Sequence, residues 1–181
     1  MAAGFRRRSR KVDVLAERGL GKDLAGRRVL VVEDELLVAL EVEAALEAEG
    51  CAIVGPVPTV GRALSLLDGP EAPSLDAALL DVNLRGEMVT PVARRLADRG
   101  LPFVLVTGYD ALDLREPVLG GAPRVPKPFE PPELVRALAT ALSDATAATQ
   151  AAGAASEASP SDASAAAPAV APATSPIQSK A

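Results

Sequence analysis

Short apolar runs alternate with amphipathic stretches from Val29 to Leu142, and this alternation constrains the fold more than any other feature of the sequence. The runs are continuous and rich in valine, leucine and alanine, as in strands that are buried on both faces of a sheet. The stretches between them repeat apolar residues at steps of three and four, as amphipathic helices do. This succession predicts an α/β fold, in which helices cover both faces of a parallel sheet.

Five strands and about five helices are predicted within residues 27–144. The strands are expected near residues 29–33, 52–54, 77–80, 103–106 and 123–125. The helices are expected near residues 36–49, 60–67, 92–100, 110–118 and 131–143. Thr59 is the predicted N-cap of the second helix, because a threonine hydroxyl can accept a backbone hydrogen bond there. The apolar face of the first helix is predicted to consist of Leu36, Leu37, Leu40, Ala44 and Ala45.

Polar groups stand where four of these strands end. Glu33-Asp34-Glu35 closes the first strand, Asp81 the third, Thr107-Gly108 the fourth and Lys127-Pro128 the fifth. Parallel α/β sheets place their chemistry at the carboxyl ends of the strands. We therefore expect these groups to meet at one edge of the sheet.

Glu33, Asp34 and Asp81 would converge at this edge if the first and third strands are neighbours. Three carboxylates in one cleft repel one another unless a cation neutralises them. Mg²⁺ favours a few carboxylates together with carbonyls, waters and phosphate oxygens. The backbone carbonyl of Asn83 is suitably placed as a further ligand, so these four residues are the predicted metal site. The alternative for the acidic run alone is a favourable charge at a helix N-terminus.

Asp81 is the candidate nucleophile, because a carboxylate can attack a phosphoryl donor and form an acyl phosphate. The transferred group is anionic, so positioning and positive charge do most of the catalysis. Lys127 would supply a positive charge from the last strand end, and a cis peptide before Pro128 would aim it inward. Thr107 would offer a hydroxyl to a phosphoryl oxygen, and Gly108 leaves room for a backbone contact.

The charge of the chain is unevenly distributed. Residues 1–26 contain seven Lys/Arg and three Asp/Glu, whereas residues 27–144 contain eleven and nineteen. An acidic folded part argues against nucleic acid as its main partner. Residues 1–26 are predicted to be a flexible basic arm that is solvated or makes weak contact with nucleic acid or anionic lipid. Residues 145–181 contain sixteen alanines and no aromatic residue, which predicts a disordered tail.

The residue types that are missing restrict the chemistry. The sequence contains no histidine, which excludes Ser-His-Asp and Cys-His catalysis by the chain itself. Its one cysteine, Cys51, cannot form an intrachain disulfide, and we expect it to pack inside the second strand. A reducing compartment is consistent with this cysteine content. With neither a secretory signal nor a membrane span in the sequence, we expect a cytoplasmic protein.

These motifs, taken in their order, resemble those of the receiver domains of two-component response regulators. The resemblance covers about residues 27–144 and rests on four segments: Val31–Glu35, Leu79–Leu84, Val106–Gly108 and Pro126–Phe129. It implies a flavodoxin-like, doubly wound, five-stranded parallel sheet of order 2-1-3-4-5. It also implies that Asp81 is the phosphoacceptor, that Glu33 and Asp34 bind the metal, and that Thr107 and Lys127 contact the phosphoryl group.

Two departures from the common receiver pattern are present. Arg124 occupies the fifth-strand position at which most receivers have an aromatic residue that, together with the threonine, reports phosphorylation. The segment from Pro102 to Tyr109 looks like the signature of a subgroup that lacks this aromatic. That subgroup includes stand-alone receivers paired with histidine kinases of the HWE type. Tyr109 would then either cover the phosphorylation site or be a partly exposed loop residue.

We therefore expect a stand-alone receiver, without enzymatic turnover of external substrates, that a histidine kinase or phosphotransfer protein phosphorylates on Asp81. No output domain is recognisable after Ser143, so output is expected through an unknown downstream protein or as a phosphate sink. One alternative is a phosphorylation-independent binding module on a receiver fold, which Arg124 favours. Another is a phosphatase with an Asp nucleophile, but such enzymes usually need an acid where this chain has Asn83.

Overall fold

A computed structural model describes residues 24–70, 74–108 and 116–157, with side chains up to residue 151. The strands are β1 (Arg28–Val32), β2 (Ala52–Val57), β3 (Ala77–Asp81), β4 (Asn83–Leu84), β5 (Glu87–Met88), β6 (Phe103–Thr107) and β7 (Arg124–Pro126). The helices are α1 (Leu36–Ala48), α2 (Val60–Asp68), α3 (Thr90–Asp98), α4 (Pro117–Gly120) and α5 (Pro131–Glu157).

Five of the strands form one parallel sheet in the order β2-β1-β3-β6-β7. Counted within this sheet alone, the order is 2-1-3-4-5, so the predicted flavodoxin-like fold is confirmed. The two short strands β4 and β5 pair with each other as an antiparallel hairpin directly after β3. This hairpin was not predicted.

Helices cover both faces of the sheet, and each face has its own hydrophobic core. In β1, Val29 and Val31 belong to the core under α1 and α5. Leu30 and Val32 belong to the core under α2, α3 and α4. Successive side chains of a strand point to opposite faces, so a continuous apolar run contributes to both cores. The predicted burial of the sheet between two helical layers is therefore correct.

Of the five residues predicted for the apolar face of α1, Ala45 is buried and the other four, including Ala44, are exposed. The side chains of Leu36 and Leu37 are 71% and 80% exposed, and that of Leu40 is also exposed. The helix instead buries Ala39, Val42, Ala45 and Leu46. Apolar residues occupy nearly all sides of this helix, so spacing alone could not identify the side that faces the sheet.

The folded part begins earlier, and its last helix ends later, than the sequence indicated. Leu24 is fully buried, and the Gly26 amide donates a hydrogen bond to the Gly50 carbonyl, so residues 24–26 are not part of a flexible arm. Helix α5 was predicted to end near Ser143 but continues to Glu157. Alanine has the highest helix propensity, which explains why an alanine-rich segment extends this helix.

The remaining local expectations have mixed outcomes. Thr59 is the N-cap of α2, as predicted, and its hydroxyl accepts a 3.3 Å hydrogen bond from the Arg62 amide. Cys51 precedes β2 and is half-buried; its thiol donates to the Leu24 carbonyl. Helix α4 begins only at Pro117, and residues 109–115 of the predicted fourth helix lie outside the described residues. In the described parts of the chain, none of the helices is long and apolar enough to cross a membrane.

Candidate phosphoryl-acceptor site

The carboxyl ends of four adjacent strands form the candidate site. Glu33 directly follows β1, Asp81 ends β3, Thr107 ends β6 and Lys127 directly follows β7. The parallel register pairs Asp81 with Val106 and Thr107 with Pro126, so these strand ends lie side by side. The topology therefore brings together residues that are 94 positions apart in the sequence, as the order of the motifs indicated.

Lys127 is the positive centre of the site. Its Nζ lies 2.8 Å from Glu33 Oε2 and 2.9 Å from Asp81 Oδ2. Glu35 Oε1 is 3.4 Å away, but this side chain is largely exposed. The peptide bond between Lys127 and Pro128 is cis, as predicted. The lysine thus forms ion pairs with two buried carboxylates that belong to different strands.

The predicted metal-binding carboxylates form one cluster. Glu33, Asp34 and Asp81 each offer an oxygen atom, and these oxygens lie within 4.8 Å of one another. Glu33 and Asp81 are only 4% and 6% exposed, and Asp34 is half-buried. Carboxylate oxygens gathered in this way suit a hard divalent cation such as Mg²⁺. Three carboxylates against one lysine leave excess negative charge, so the cluster could hold a metal ion.

Backbone amides orient two of these carboxylates. The Asn83 amide donates a 3.2 Å hydrogen bond to Asp81 Oδ1, and the Glu35 amide donates a 3.1 Å hydrogen bond to Glu33 Oε1. These bonds leave Asp81 Oδ2 directed at Lys127. Both oxygens of Asp81 therefore have a defined partner, which holds the candidate nucleophile in one orientation.

The β4–β5 hairpin borders the cluster and is the part of the site that sequence reasoning missed. Asn83 begins the hairpin, and its Oδ1 accepts a 2.6 Å hydrogen bond from the Gly86 amide. Arg85 and Gly86 have positive φ angles of 54° and 92°, which complete the tight turn. Arg85 Nε lies 3.4 Å from Asp34 Oδ2. The spacing of Asn83 and Gly86 was the available signal, because both residue types favour turns.

Burial sets the electrostatics of the ionisable groups. Desolvation raises the pKa of Glu33, and the nearby Asp81 charge adds to it, against the hydrogen bonds from Lys127 and from the Glu35 amide. Burial alone would lower the pKa of Lys127, but its hydrogen bonds to Glu33 and Asp81 outweigh this and raise it. The lysine is therefore held in its charged form, while the Glu33 carboxylate is at an energetic disadvantage in the absence of a metal.

Thr107 and Gly108 border the cluster at the end of β6. Thr107 is buried, and its carbonyl accepts a 2.7 Å hydrogen bond from the Lys127 amide. A side chain placed at Gly108 would meet no atom of the described residues within 4 Å.

Arg124 and Tyr109 mark the departures from the common receiver pattern, and the structure describes the first of them. Arg124 is exposed, and its guanidinium donates to the carbonyls of Leu119 and Gly120 at the end of α4. It is thus engaged with a neighbouring helix and forms no described ion pair with the acidic cluster. Tyr109 lies outside the described residues.

Comparison with known proteins identifies relatives of similar fold. The solution structure of SdrG from Sphingomonas melonis Fr1 is 41% identical, with a TM-score of 0.54, and covers 66% of this chain and 97% of its own. A response regulator receiver protein from Burkholderia phymatum is 28% identical, with a TM-score of 0.57; the match covers 65% of this chain and 95% of the Burkholderia chain. No family model matches the sequence.

Curated relatives extend beyond the matched region. The transcriptional regulatory protein PdtaR of Mycobacterium tuberculosis H37Rv is 29% identical over 119 residues, which are 64% of this chain and 57% of that protein. The chain spans about half the length of the curated relatives it matches. The fold, the ordered motifs and the nearly complete overlap with SdrG and the Burkholderia receiver show that the chain belongs to the response regulator receiver proteins.

Proposed function

We propose that this protein accepts a phosphoryl group on Asp81 from a phosphohistidine of a histidine kinase or phosphotransfer protein. The observation that carries the proposal is the contact of Lys127 Nζ with both Asp81 and Glu33 inside a three-carboxylate cluster. These 181 residues contain no histidine, so the proposed donor histidine lies outside them. This role is that of a phosphoacceptor and not of an enzyme that turns over external substrates.

In the proposed reaction, an oxygen of Asp81 attacks the phosphorus atom of the donor. The new O–P bond forms an acyl phosphate, while the N–P bond breaks and the imidazole departs with its electron pair. When the other ring nitrogen of the donor carries a proton, the imidazole leaves as a neutral group; otherwise the departing nitrogen takes up a proton from solvent. Lys127 already lies against Asp81 Oδ2, so its ammonium can follow the charge onto the phosphoryl oxygens.

The residues that would hold Mg²⁺ are Glu33, Asp34, Asp81 and the Asn83 carbonyl. A bound Mg²⁺ supplies positive charge to the phosphoryl oxygens and offsets the repulsion among the carboxylates. Thr107 would offer its hydroxyl to a phosphoryl oxygen from the other side of the site. The lack of contacts from the described residues at Gly108 supports this placement, because the group must fit beside the threonine.

Labelling with radioactive acetyl phosphate and Mg²⁺ tests the proposal. Wild type should incorporate label in the presence of Mg²⁺ but not when EDTA removes the metal. Asp81→Asn should incorporate none. Asp76→Asn is the matched control, because it makes the same change at the opposite edge of the sheet. Equal labelling of wild type and Asp81→Asn would contradict the proposal.

The alternative function is a binding module that does not depend on phosphorylation. Arg124 at the place of the switch aromatic favours it, because a side chain engaged with α4 cannot act as the usual reporter. Absence of label in wild type, with binding to a downstream protein retained in Asp81→Asn, would support this alternative. A cytoplasmic location is part of our proposal and is consistent with the free thiol of Cys51.

A further inference from the structure

An apolar groove of about 380 Å³ lies between α1 and the beginning of α5, and none of its lining residues belongs to the phosphoryl-acceptor site. Ala44, Ala48, Pro131 and Pro132 are among its apolar lining residues, which we call its floor. All four are exposed in the described part of the chain. A concave surface of this size and composition is typical of binding sites.

The rim of the groove is acidic. Glu41 and Glu49 line it directly. The segment from Glu35 to Glu49 contains five glutamates and no lysine or arginine. An occupant of this groove should therefore combine apolar side chains with positive charge.

The first residues of the chain have this composition. Residues 5–11 contain five Arg/Lys and no acid; Val12 comes next, and Leu15 follows after Asp13 and Val14. Val12 and Leu15 are three residues apart, a spacing that would place them on one face of a helix. Residues 158–181 at the other end of the chain lack the positive charge that the acidic rim requires, because their one lysine is balanced by one aspartate.

The chain enters the folded domain close to one end of the groove. Leu24 packs in the core cluster that contains Ala45 and Leu46, and Gly26 is hydrogen-bonded to Gly50 just after α1. Lys11 lies thirteen positions before Leu24, and an extended chain of thirteen residue steps reaches up to ~45 Å. The helix from Glu49 to Glu41 is only ~12 Å long. The basic segment can therefore reach every part of the rim.

We propose that residues 5–18 dock into this groove, with Val12 and Leu15 on its floor and the basic run along its acidic rim. A short tether gives an effective concentration of the order of millimolar, so individually weak contacts suffice. Exposed ion pairs are screened by salt, so the docking should weaken as ionic strength rises. The interaction does not depend on phosphorylation of Asp81 and can fail or hold independently of the proposed function.

Paramagnetic broadening in the full-length protein tests the docking. A nitroxide is attached at Ser9→Cys in a Cys51→Ser background, in which a hydroxyl replaces the only native thiol. The amide signals of Ala44, Ala48 and Val135 should broaden at ~50 mM salt and recover at ~1 M, where the Debye length is ~3 Å. Unchanged groove signals at low salt would overturn the proposal.

Charge reversal separates the groove from general electrostatics. The Glu41→Lys/Glu49→Lys variant should abolish the broadening, whereas Glu47→Lys/Glu87→Lys, with the same net charge, should retain it. Adding Arg10→Glu and Lys11→Glu to the first variant should restore the broadening in part, and circular dichroism checks the fold of each. Equal broadening in the two double variants would overturn the proposal.

A mixing experiment identifies the source of the bound segment. Spin-labelled protein at natural isotope abundance is added to ¹⁵N-labelled protein that carries no spin label. Any broadening of the ¹⁵N-protein signals must then arise between molecules. We expect none at the groove. Broadening as strong as in the single-chain experiment would show that a second copy occupies the groove and would overturn docking within one chain.

Discussion

The two edges of the parallel sheet use acidic residues in opposite ways. At the carboxyl edge, burial raises the pKa of Glu33 among neighbouring carboxylates. At the amino edge, the hydrogen bond from the Arg28 amide holds the pKa of Asp76 below its usual value; desolvation opposes this lowering, and the Arg27 guanidinium supports it. Asp76 Oδ2 accepts a 2.8 Å hydrogen bond from that amide and Oδ1 a 2.9 Å bond from the guanidinium.

The difference shows that the acid at the amino edge stabilises the fold, whereas the acids at the carboxyl edge provide reactive charge. Asp76 joins the start of β3 to the start of β1, and its own amide donates to the Arg28 carbonyl. It is satisfied without any ligand. The carboxylates of the site have more negative charge than Lys127 can neutralise, so we expect their stability to depend on what binds. Four substitutions test this comparison.

Lys127→Met should have the largest effect. It removes the ammonium that lies 2.9 Å from Asp81 Oδ2, so phosphoryl transfer loses its positive charge at the nucleophile. Loss of one such group typically lowers the rate by ~10²–10³-fold. The initial rate of labelling from acetyl phosphate measures the effect. Arg136→Met is the control, because Arg136 is exposed on α5, and a similar loss there would contradict the assignment.

Asp76→Asn should destabilise the fold by about 1–2 kcal/mol, as expected for loss of a charged hydrogen-bond partner. The folded pKa of Asp76 lies below its ordinary value of 3.8, so its carboxylate stabilises the protein above that pH. This contribution is lost as the pH falls through the folded pKa. Urea unfolding of wild type and variant should therefore differ at pH 7 and converge in acid.

Asp144→Asn provides the comparison for Asp76, because Asp144 is exposed on α5. We expect its free energy of unfolding to match that of wild type at both pH values. If Asp76→Asn and Asp144→Asn behave alike, the amino edge of the sheet does not depend on the Asp76 hydrogen bonds.

Glu33→Gln should stabilise the metal-free protein by up to about 1 kcal/mol at neutral pH, because it removes a desolvated charge. The folded pKa of Glu33 lies above 4.5, so its carboxylate costs stability once the pH rises through the folded pKa. The variant should bind Mg²⁺ more weakly. Thermal unfolding with EDTA and with excess Mg²⁺ measures both effects, and a lower melting temperature in EDTA would contradict this account.

Arg85→Asn should have the smallest effect. Asparagine tolerates the positive φ at this position, so the change mainly removes the charge near Asp34. The Arg85 side chain is 70% exposed, and exposed ion pairs contribute at most about 1 kcal/mol, which is about fivefold in affinity. Calorimetry should show slightly tighter Mg²⁺ binding. Arg94→Asn, which loses the same charge on α3, should leave the affinity unchanged.

Much of the fold and of the site could be predicted because local chemistry and topology agree. The polar groups after β1, β3, β6 and β7 identified the edge that carries the site, since parallel strands share one direction. The hairpin that holds Asn83 and Arg85 was not predicted, because two-residue strands leave no periodic pattern. The predicted end of α5 was wrong, because alanine-rich sequence occurs both in disordered tails and in helices.

By itself, the sequence determined the alternation of strands and helices and the identity of Asp81, Glu33, Asp34, Thr107 and Lys127 as candidate site residues, whereas the strand order was implied by the resemblance to receiver domains. The tertiary structure alone decided that Lys127 contacts Glu33 and Asp81 at the same time. It also decided that Leu36 and Leu37 face outward and that Leu24 lies in the core. The physical reason is that periodicity records which residues are apolar, whereas only packing decides which apolar side of a helix meets the sheet.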